Sequence, residues 1–177
     1  MNRVTLVDPA NATGKTSELF TAIKSKLGMV PNLMKVLGNS PAALEGYLGL
    51  SGAVAHGALD GKSREAIALS VGQKNSCQYC VSAHTLLGKK AGLTDQDVLA
   101  ARKGEASSPK LAAVVSLANI IVEKRGLVSE SDLQAARSAG VSDAEIVETV
   151  ANVALNIYTN YINHLAETQI DFPVVQL

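Results

Sequence analysis

The stretch Ser63-Arg-Glu-Ala-Ile-Ala-Leu-Ser-Val-Gly-Gln-Lys-Asn-Ser-Cys-Gln-Tyr-Cys-Val-Ser-Ala-His84 decides how this chain reads. Ser63 begins a helix, and the Ala-rich and apolar residues behind it carry that helix to about Lys74. Asn75-Ser76 breaks it. A second helix starts at the Cys77-x-x-Cys80 pair and ends near Gly92. Each helical residue advances by about 100°. Cys80 therefore stands one turn beyond Cys77 and His84 one turn beyond Cys80, all three on one face. The start of that helix offers unpaired N–H groups and the positive end of its dipole, which favour a thiolate over a thiol at one of the cysteines. By that reasoning Cys77, nearer the helix start and the more exposed of the two, is the more acidic thiol. Glu65 lies twelve positions before Cys77, on the preceding helix. In an antiparallel hairpin its carboxylate faces His84 and orients the imidazole as a base, the logic of an acid–base–nucleophile triad.

Outward from this hairpin the chain reads as helices throughout. Ser17 to Leu27 sets Leu19, Ala22, Ile23 and Leu27 on one stripe. Pro31 opens a short helix that stops near Gly38-Asn39. Ser40-Pro41 joins a cap to a proline at the first helical position, where its missing N–H costs nothing. The helix it opens carries Leu44, Leu48, Ala53 and Val54 and ends near Gly57. Thr94 with Asp97 is an Asp-for-Glu version of a capping box, opening a helix that ends near Gly104. Residues 104–109, Gly-Glu-Ala-Ser-Ser-Pro, form the best internal linker. Pro109 starts a long apolar helix to about Lys124, and Ser129 opens another that ends at Gly140. Ser142 with Glu145 is a full capping box. The last helix turns Ile146, Val150, Val153, Ile157, Tyr161 and Leu165 inward, and Ile170-Asp-Phe-Pro173 is extended. No segment alternates with period two for long enough to argue a sheet, so the fold class is all-α, one domain over residues 1–177. Gly92–Arg102 resembles Gly126–Arg137, either as a duplicated helix pair or as two similar caps on Ala-rich helices.

A chain of 177 residues fits one domain of ordinary size and can bury a core without a disulfide or metal staple. The 16 Lys and Arg are balanced by 16 Asp and Glu, so no basic field invites nucleic acid or an anionic membrane, and little charge repulsion opposes self-association. Two cysteines three apart are no secreted disulfide framework. Met1-Asn2-Arg3-Val4 lacks the apolar run of a signal peptide. The apolar stretch Leu111 to Val122, interrupted by Ser116 and Asn119, is too short to span a bilayer. The expectation is a soluble cytoplasmic protein. There a Cys-x-x-Cys is more often catalytic or metal-binding than structural.

Several bland readings compete. Cys-x-x-Cys is half of a zinc site, but four ligands are usual, and only His56, His84, His164 and carboxylates remain to complete one. A c-type haem needs His directly after the second Cys, where Val81 stands; a thioredoxin motif needs strands. His164, in Asn160-Tyr-Ile-Asn-His164, reads as a partly buried structural histidine and His56 as a helix-end residue. Tyr79 is an active-site lid or a packed ring. Tyr158 and Tyr161 read as core.

The pattern Glu65-x11-Cys77-x-x-Cys80-x-x-x-His84 resembles the signature of AhpD-like alkylhydroperoxidases of the carboxymuconolactone decarboxylase superfamily. The flanking Gly28-Met-Val-Pro-Asn-Leu-Met and Asn163-His-Leu-Ala-Glu-Thr-Gln-Ile-Asp-Phe-Pro173 resemble its peroxidase-related branch, and the resemblance covers nearly the whole chain. It implies an all-helical bundle assembled as a homo-oligomer, a trimer or a hexamer. It also implies reduction of hydrogen peroxide or organic hydroperoxides, with Cys80 as the peroxidatic thiolate, Cys77 as the resolving thiol and His84 with Glu65 as a proton relay. The site needs no metal, flavin or haem; the partners are the peroxide and an external dithiol or protein thiol reductant. Where Tyr79 stands, the best-characterised alkylhydroperoxidases of the family carry a second His. The rivals are a general disulfide reductase and a decarboxylase-like enzyme of the same superfamily, for whose lactone chemistry a dithiol has no use.

Overall fold

In the computed structural model, which describes residues 3–177, side-chain caps decide where most elements begin. The order is α1 (Gly14–Leu27), α2 (Asn32–Leu37), α3 (Pro41–Val54), α4 (Gly61–Lys74), α5 (Gln78–Lys90), α6 (Asp95–Arg102), α7 (Pro109–Lys124), α8 (Glu130–Ser138) and α9 (Asp143–Ala166). The described residues contain no strand, so the all-α expectation holds. Ser40, Asp60, Thr94, Ser108, Ser129 and Ser142 each accept a hydrogen bond from the backbone N–H three residues on, satisfying an amide the helix itself leaves open. Reciprocal capping boxes close on Thr94–Asp97, Ser129–Asp132 and Ser142–Glu145. The likeness of Gly92–Arg102 to Gly126–Arg137 thus includes the same cap, but α6 packs on α4 and α5 whereas α8 packs on α7.

Two starts differ from the sequence reading. Helix α4 begins at Gly61, because Asp60 is the cap and Ser63 is the residue whose N–H it takes. Helix α1 begins at Gly14 and buries Thr16, Phe20 and Ile23, whereas Ala22 and Leu27 are exposed. On α3, Leu44 and Val54 are buried but Ala53 is exposed.

Helix α4 is the centre. Residues 66–72 are buried without a break, and the helix packs on α5, α6, α7 and α9. A helix apolar on every side belongs inside, and Ala66, Ala68, Ser70 and Gly72 let its neighbours come close. Ile67, Leu69 and Val71 are wholly buried, each stabilising the fold by roughly 1.5–3 kcal/mol. Ser70 Oγ donates to Asn119 Oδ1 at 2.8 Å, so its hydroxyl is not stranded. Residues 104–109 are not a domain boundary: they join α6 to α7, and both of these pack on α4.

Helix α9 reverses the expectation for its faces. Val153 is buried, but Val150, Tyr161 and Leu165 are 48%, 61% and 63% exposed, and Ile146 and Ile157 are half-buried. The buried face is Thr149, Asn152, Val153, Asn156, Thr159, Asn160, Asn163 and Ala166. Its polar groups are bonded largely along the helix, as in Asn152 Nδ2 to Glu148 O and Asn156 Nδ2 to Asn152 O, both 2.8 Å. Outside, Val147, Val150, Ala154, Tyr161 and Leu165 form an exposed apolar stripe, of which Ala154 lines a hollow with the α3 residues Gly46 and Leu50. Among the described residues no helix is long and apolar enough to cross a membrane.

Candidate active site

The cysteine pair sits where α4 hands over to α5. Asn75 ends α4. Ser76 takes a left-handed backbone (φ +54°), a conformation disfavoured for a residue with a Cβ and found preferentially near functional sites. Cys77 N–H then donates back to Gly72 O at 2.8 Å. Cys77 itself caps α5: its Sγ accepts from Cys80 N–H at 3.3 Å. The two cysteines are joined as a disulfide. They are 1% and 2% exposed, so Cys77 is not the more exposed sulfur that its place at the helix start suggested. Chain packing over the helix end outweighs sequence position.

Helices α4 and α5 do pack as neighbours in a hairpin, and Glu65 reaches His84 across it. The Glu65 Oε2 to His84 Nδ1 distance is 2.8 Å, with both side chains about one-fifth exposed. A carboxylate at Nδ1 accepts its proton and leaves Nε2 as the free base position. Among the described residues, His84 is bonded to Glu65 and to neither sulfur. Small residues permit the approach. A Cβ on Gly88 would lie 3.6 Å from Glu65 Cβ and 3.0 Å from Leu93, and one on Gly72 would lie 3.4 Å from Cys80 Cβ. The four residues singled out in the sequence thus lie on one hairpin as two bonded pairs, Glu65 with His84 and Cys77 with Cys80.

Three other elements complete the surroundings, and sequence reasoning missed their contributions. From α9, Asn163 Nδ2 donates to Cys80 Sγ at 3.4 Å, and Asn160 Oδ1 accepts from Asn75 Nδ2 at 2.8 Å. From α3, Tyr47 packs half-buried against the cluster containing Cys77, Cys80 and Ala83. Burial, and after it the charge of Glu65, pushes its phenol above the usual tyrosine range, against a hydrogen bond from Ser51. The only available signal for Tyr47 was its being an aromatic in a helix of small and aliphatic residues. The third element is the extended tail after α9. Asp171 Oδ1 accepts from Tyr79 OH at 2.9 Å and Oδ2 from Asn32 N–H at 2.8 Å. Phe172 meets the Tyr79 ring edge-on at 5.6 Å, and Val175 N–H donates to Ser82 Oγ at 3.0 Å.

Tyr79 is therefore a packed ring that ties the tail and α2 to the cysteine helix; its OH also accepts from Leu33 N–H at 3.1 Å. Burial pushes its phenol well up. Tyr158 is half-buried against the same cluster, as expected of a core residue, but Tyr161 faces outward. His164 is exposed rather than partly buried, and His56 is exposed just beyond α3. Among the described residues no three His, Cys, Asp or Glu side chains gather as a metal site requires.

The carboxymuconolactone decarboxylase family matches residues 41–123, the segment holding α3 to α7 and all four candidate residues. No curated protein matches the chain in sequence. Among solved structures the chain is similar to an uncharacterized peroxidase-related protein with an alkylhydroperoxidase AhpD core from Ralstonia eutropha JMP134, at 20% identity and TM-score 0.87, covering 96% of this chain and 92% of that one. It is similar to a peroxidase-related protein from Silicibacter sp. TM1040, at 22% identity and TM-score 0.80, covering 94% and 92%. The debrominase Bmp8, solved as a cysteine-to-alanine variant with 2,3,4-tribromopyrrole, follows at 19% identity and TM-score 0.81, covering 96% and 91%. At these identities the structures speak for the fold. The chain thus has an AhpD-like all-helical fold, and the segment that carries the site is similar to the carboxymuconolactone decarboxylase family.

Proposed function

We propose that this protein is a thiol-dependent peroxidase that reduces hydrogen peroxide or organic hydroperoxides through Cys77 and Cys80. The AhpD-like fold points to peroxidase-related chemistry and the Cys77–Cys80 pair supplies a dithiol. The observation that carries the finer reading is the Glu65–His84 bond, formed one helical turn beyond Cys80 on the same helix as the disulfide. In the scheme, His84 takes the Cys80 proton, directly or through a water, and Glu65 steadies the imidazolium. The Cys80 thiolate attacks the distal peroxide oxygen. The O–O bond breaks, the alcohol or water leaves with the proton from His84, and Cys80 becomes a sulfenic acid. The Cys77 thiol then attacks the Cys80 sulfur, water leaves, and the disulfide forms. An external dithiol or protein thiol returns two electrons and two protons. This cycle suits a reducing compartment such as the cytoplasm.

The test is peroxide consumption by the metal-free protein with dithiothreitol as donor, beside the Cys80→Ser variant. The expected result is turnover by the wild type and loss of about a thousandfold or more in the variant, the scale of removing a catalytic nucleophile. A Cys77→Ser variant is expected to stop at the Cys80 sulfenic acid. A wild-type protein that consumes no peroxide with any dithiol and forms no Cys77–Cys80 disulfide would falsify the reading.

The reading includes a homo-oligomer, a trimer or hexamer. Its support is the exposed apolar stripe of α9, Val147, Val150, Tyr161 and Leu165, together with exposed Leu50 of α3. Side chains of this kind left in water mark a surface that another surface covers.

A further inference from the structure

We propose that Asn163 is a catalytic residue of this site: its side-chain N–H holds the Cys80 sulfur and stabilises it as the thiolate once the disulfide is reduced. The inference rests on the reading of Cys80 as the attacking sulfur.

The two cysteines are not served alike. The helix-end donor nearest the pair, Cys80 N–H, points to Cys77 Sγ. The start of α5 therefore stabilises negative charge at Cys77 and leaves Cys80 without it. Cys80 is also buried, and a buried sulfur resists ionisation unless a donor compensates for lost water. Asn163 Nδ2 at 3.4 Å is that donor, delivered from a different helix. Its helix is tied to the cysteine loop: one turn earlier Asn160 Oδ1 accepts from Asn75 Nδ2 at 2.8 Å. The orientation is set by the sulfur, because the opposite amide face would place an acceptor against an acceptor. The arrangement has a cost. Asn163 is 4% exposed and, among the described residues, its Oδ1 has no hydrogen-bond partner. An amide that leaves its oxygen stranded to put its nitrogen on a reactive sulfur is explained by the sulfur.

The titratable groups packed about Cys80 are Cys77 and Tyr79 on α5, Tyr47 on α3 and Tyr158 on α9, with the Glu65–His84 pair adjoining. Asn163 is neutral, so its replacement leaves all of them in place.

The test follows the Cys80 thiolate by its ultraviolet absorbance against pH, in a Cys77→Ser background where Cys80 is the one thiol. Removing a hydrogen bond to a charged group is expected to raise the Cys80 pKa by about one unit in Asn163→Leu. Alkylation of Cys80 by iodoacetamide at neutral pH should slow by about tenfold in parallel. In a Cys80→Ser background the same substitution should leave Cys77 unmoved. Asn163→Ala serves if the leucine variant does not fold, with the same expectation. Asn156→Ala, on the same buried face two turns away, controls for general loosening and should not shift Cys80. The proposal is overturned if Cys80 titrates unchanged in both Asn163 variants, or if Asn156→Ala or the Cys77 thiol shows an equal shift. No peroxide enters these measurements. A Cys80 shift in a protein that consumes no peroxide would uphold the role of Asn163 and reject the peroxidase reading.

Discussion

Helix α9 and the α4–α5 hairpin both carry a clear helical period, yet they turned out oppositely. On the hairpin Glu65 meets His84 at 2.8 Å, the contact its spacing suggested. On α9 half of the expected inward stripe is outside, with Val150, Tyr161 and Leu165 in water, and an Asn and Thr stripe inside. Period tells which side chains share a face; it does not tell which way the face points. On the hairpin the direction is fixed locally, because two consecutive antiparallel helices leave a side chain few places to go. On α9 it is fixed by what the rest of the fold offers: the cysteine loop, with Cys80 and Asn75, wants donors and acceptors, and asparagines supply them.

Four experiments bear on this contrast, and the largest effect belongs to the hairpin. His84→Ala or Glu65→Gln should lower peroxide turnover by roughly 10²–10⁴ for the histidine and less for the glutamate, the range of general acid–base catalysis. Full turnover in both would detach the hairpin geometry from chemistry. Next is the outer face of α9. Replacing Val150 and Leu165 together by Asp should convert the assembly to smaller species by light scattering, while each exposed change alters protomer stability by no more than about 0.5 kcal/mol. A wild-type protein that is a monomer at high concentration would remove the proposed cover for that face. Tyr79→Phe joins the two regions. It deletes the OH shared by Asp171 and Leu33 and should cost about 1–3 kcal/mol. By loosening the tail over α5 it should also speed reduction of the disulfide by dithiothreitol. An unchanged melt and unchanged reduction rate would show that the tail is held by other contacts.

The smallest effect concerns the start of α9. Lys110, and after it the backbone N–H of Ser142, hold Glu145 below the usual carboxylate range. A carboxyl with a depressed folded pKa contributes stability above its unfolded pKa and loses it as pH falls through the folded one. Glu145→Gln should therefore lower stability by up to about 1 kcal/mol at neutral pH, and the difference should vanish in acid once Glu145 is protonated. Urea melts at two pH values read this directly, and a penalty that persists in acid would assign the effect to packing instead.

Much of the site was legible because its rules are local. Cys77, Cys80 and His84 are tied by helical spacing, and Glu65 by the length of a hairpin. Helix boundaries were legible to within a few residues wherever a Ser, Thr or Asp cap stood alone; Asp60 took α4 from Ser63 because both are good caps three apart, and only the outer one can accept the other's N–H. Asn163, Tyr47 and Asp171 were not legible. Each reaches the site from another helix or from the tail, over separations of 83 residues for Asn163 to Cys80 and 92 for Asp171 to Tyr79. No periodicity spans such distances.

What the amino-acid order determined by itself was a set of helices and a four-residue constellation, since spacing within a helix and across one tight turn follows from backbone geometry. Tertiary structure alone decided which face of α9 is buried, that both sulfurs lie under cover, and that Cys80 and Cys77 are served by different donors. These depend on which surfaces meet, and a surface is chosen by all its neighbours at once rather than by the segment that carries it.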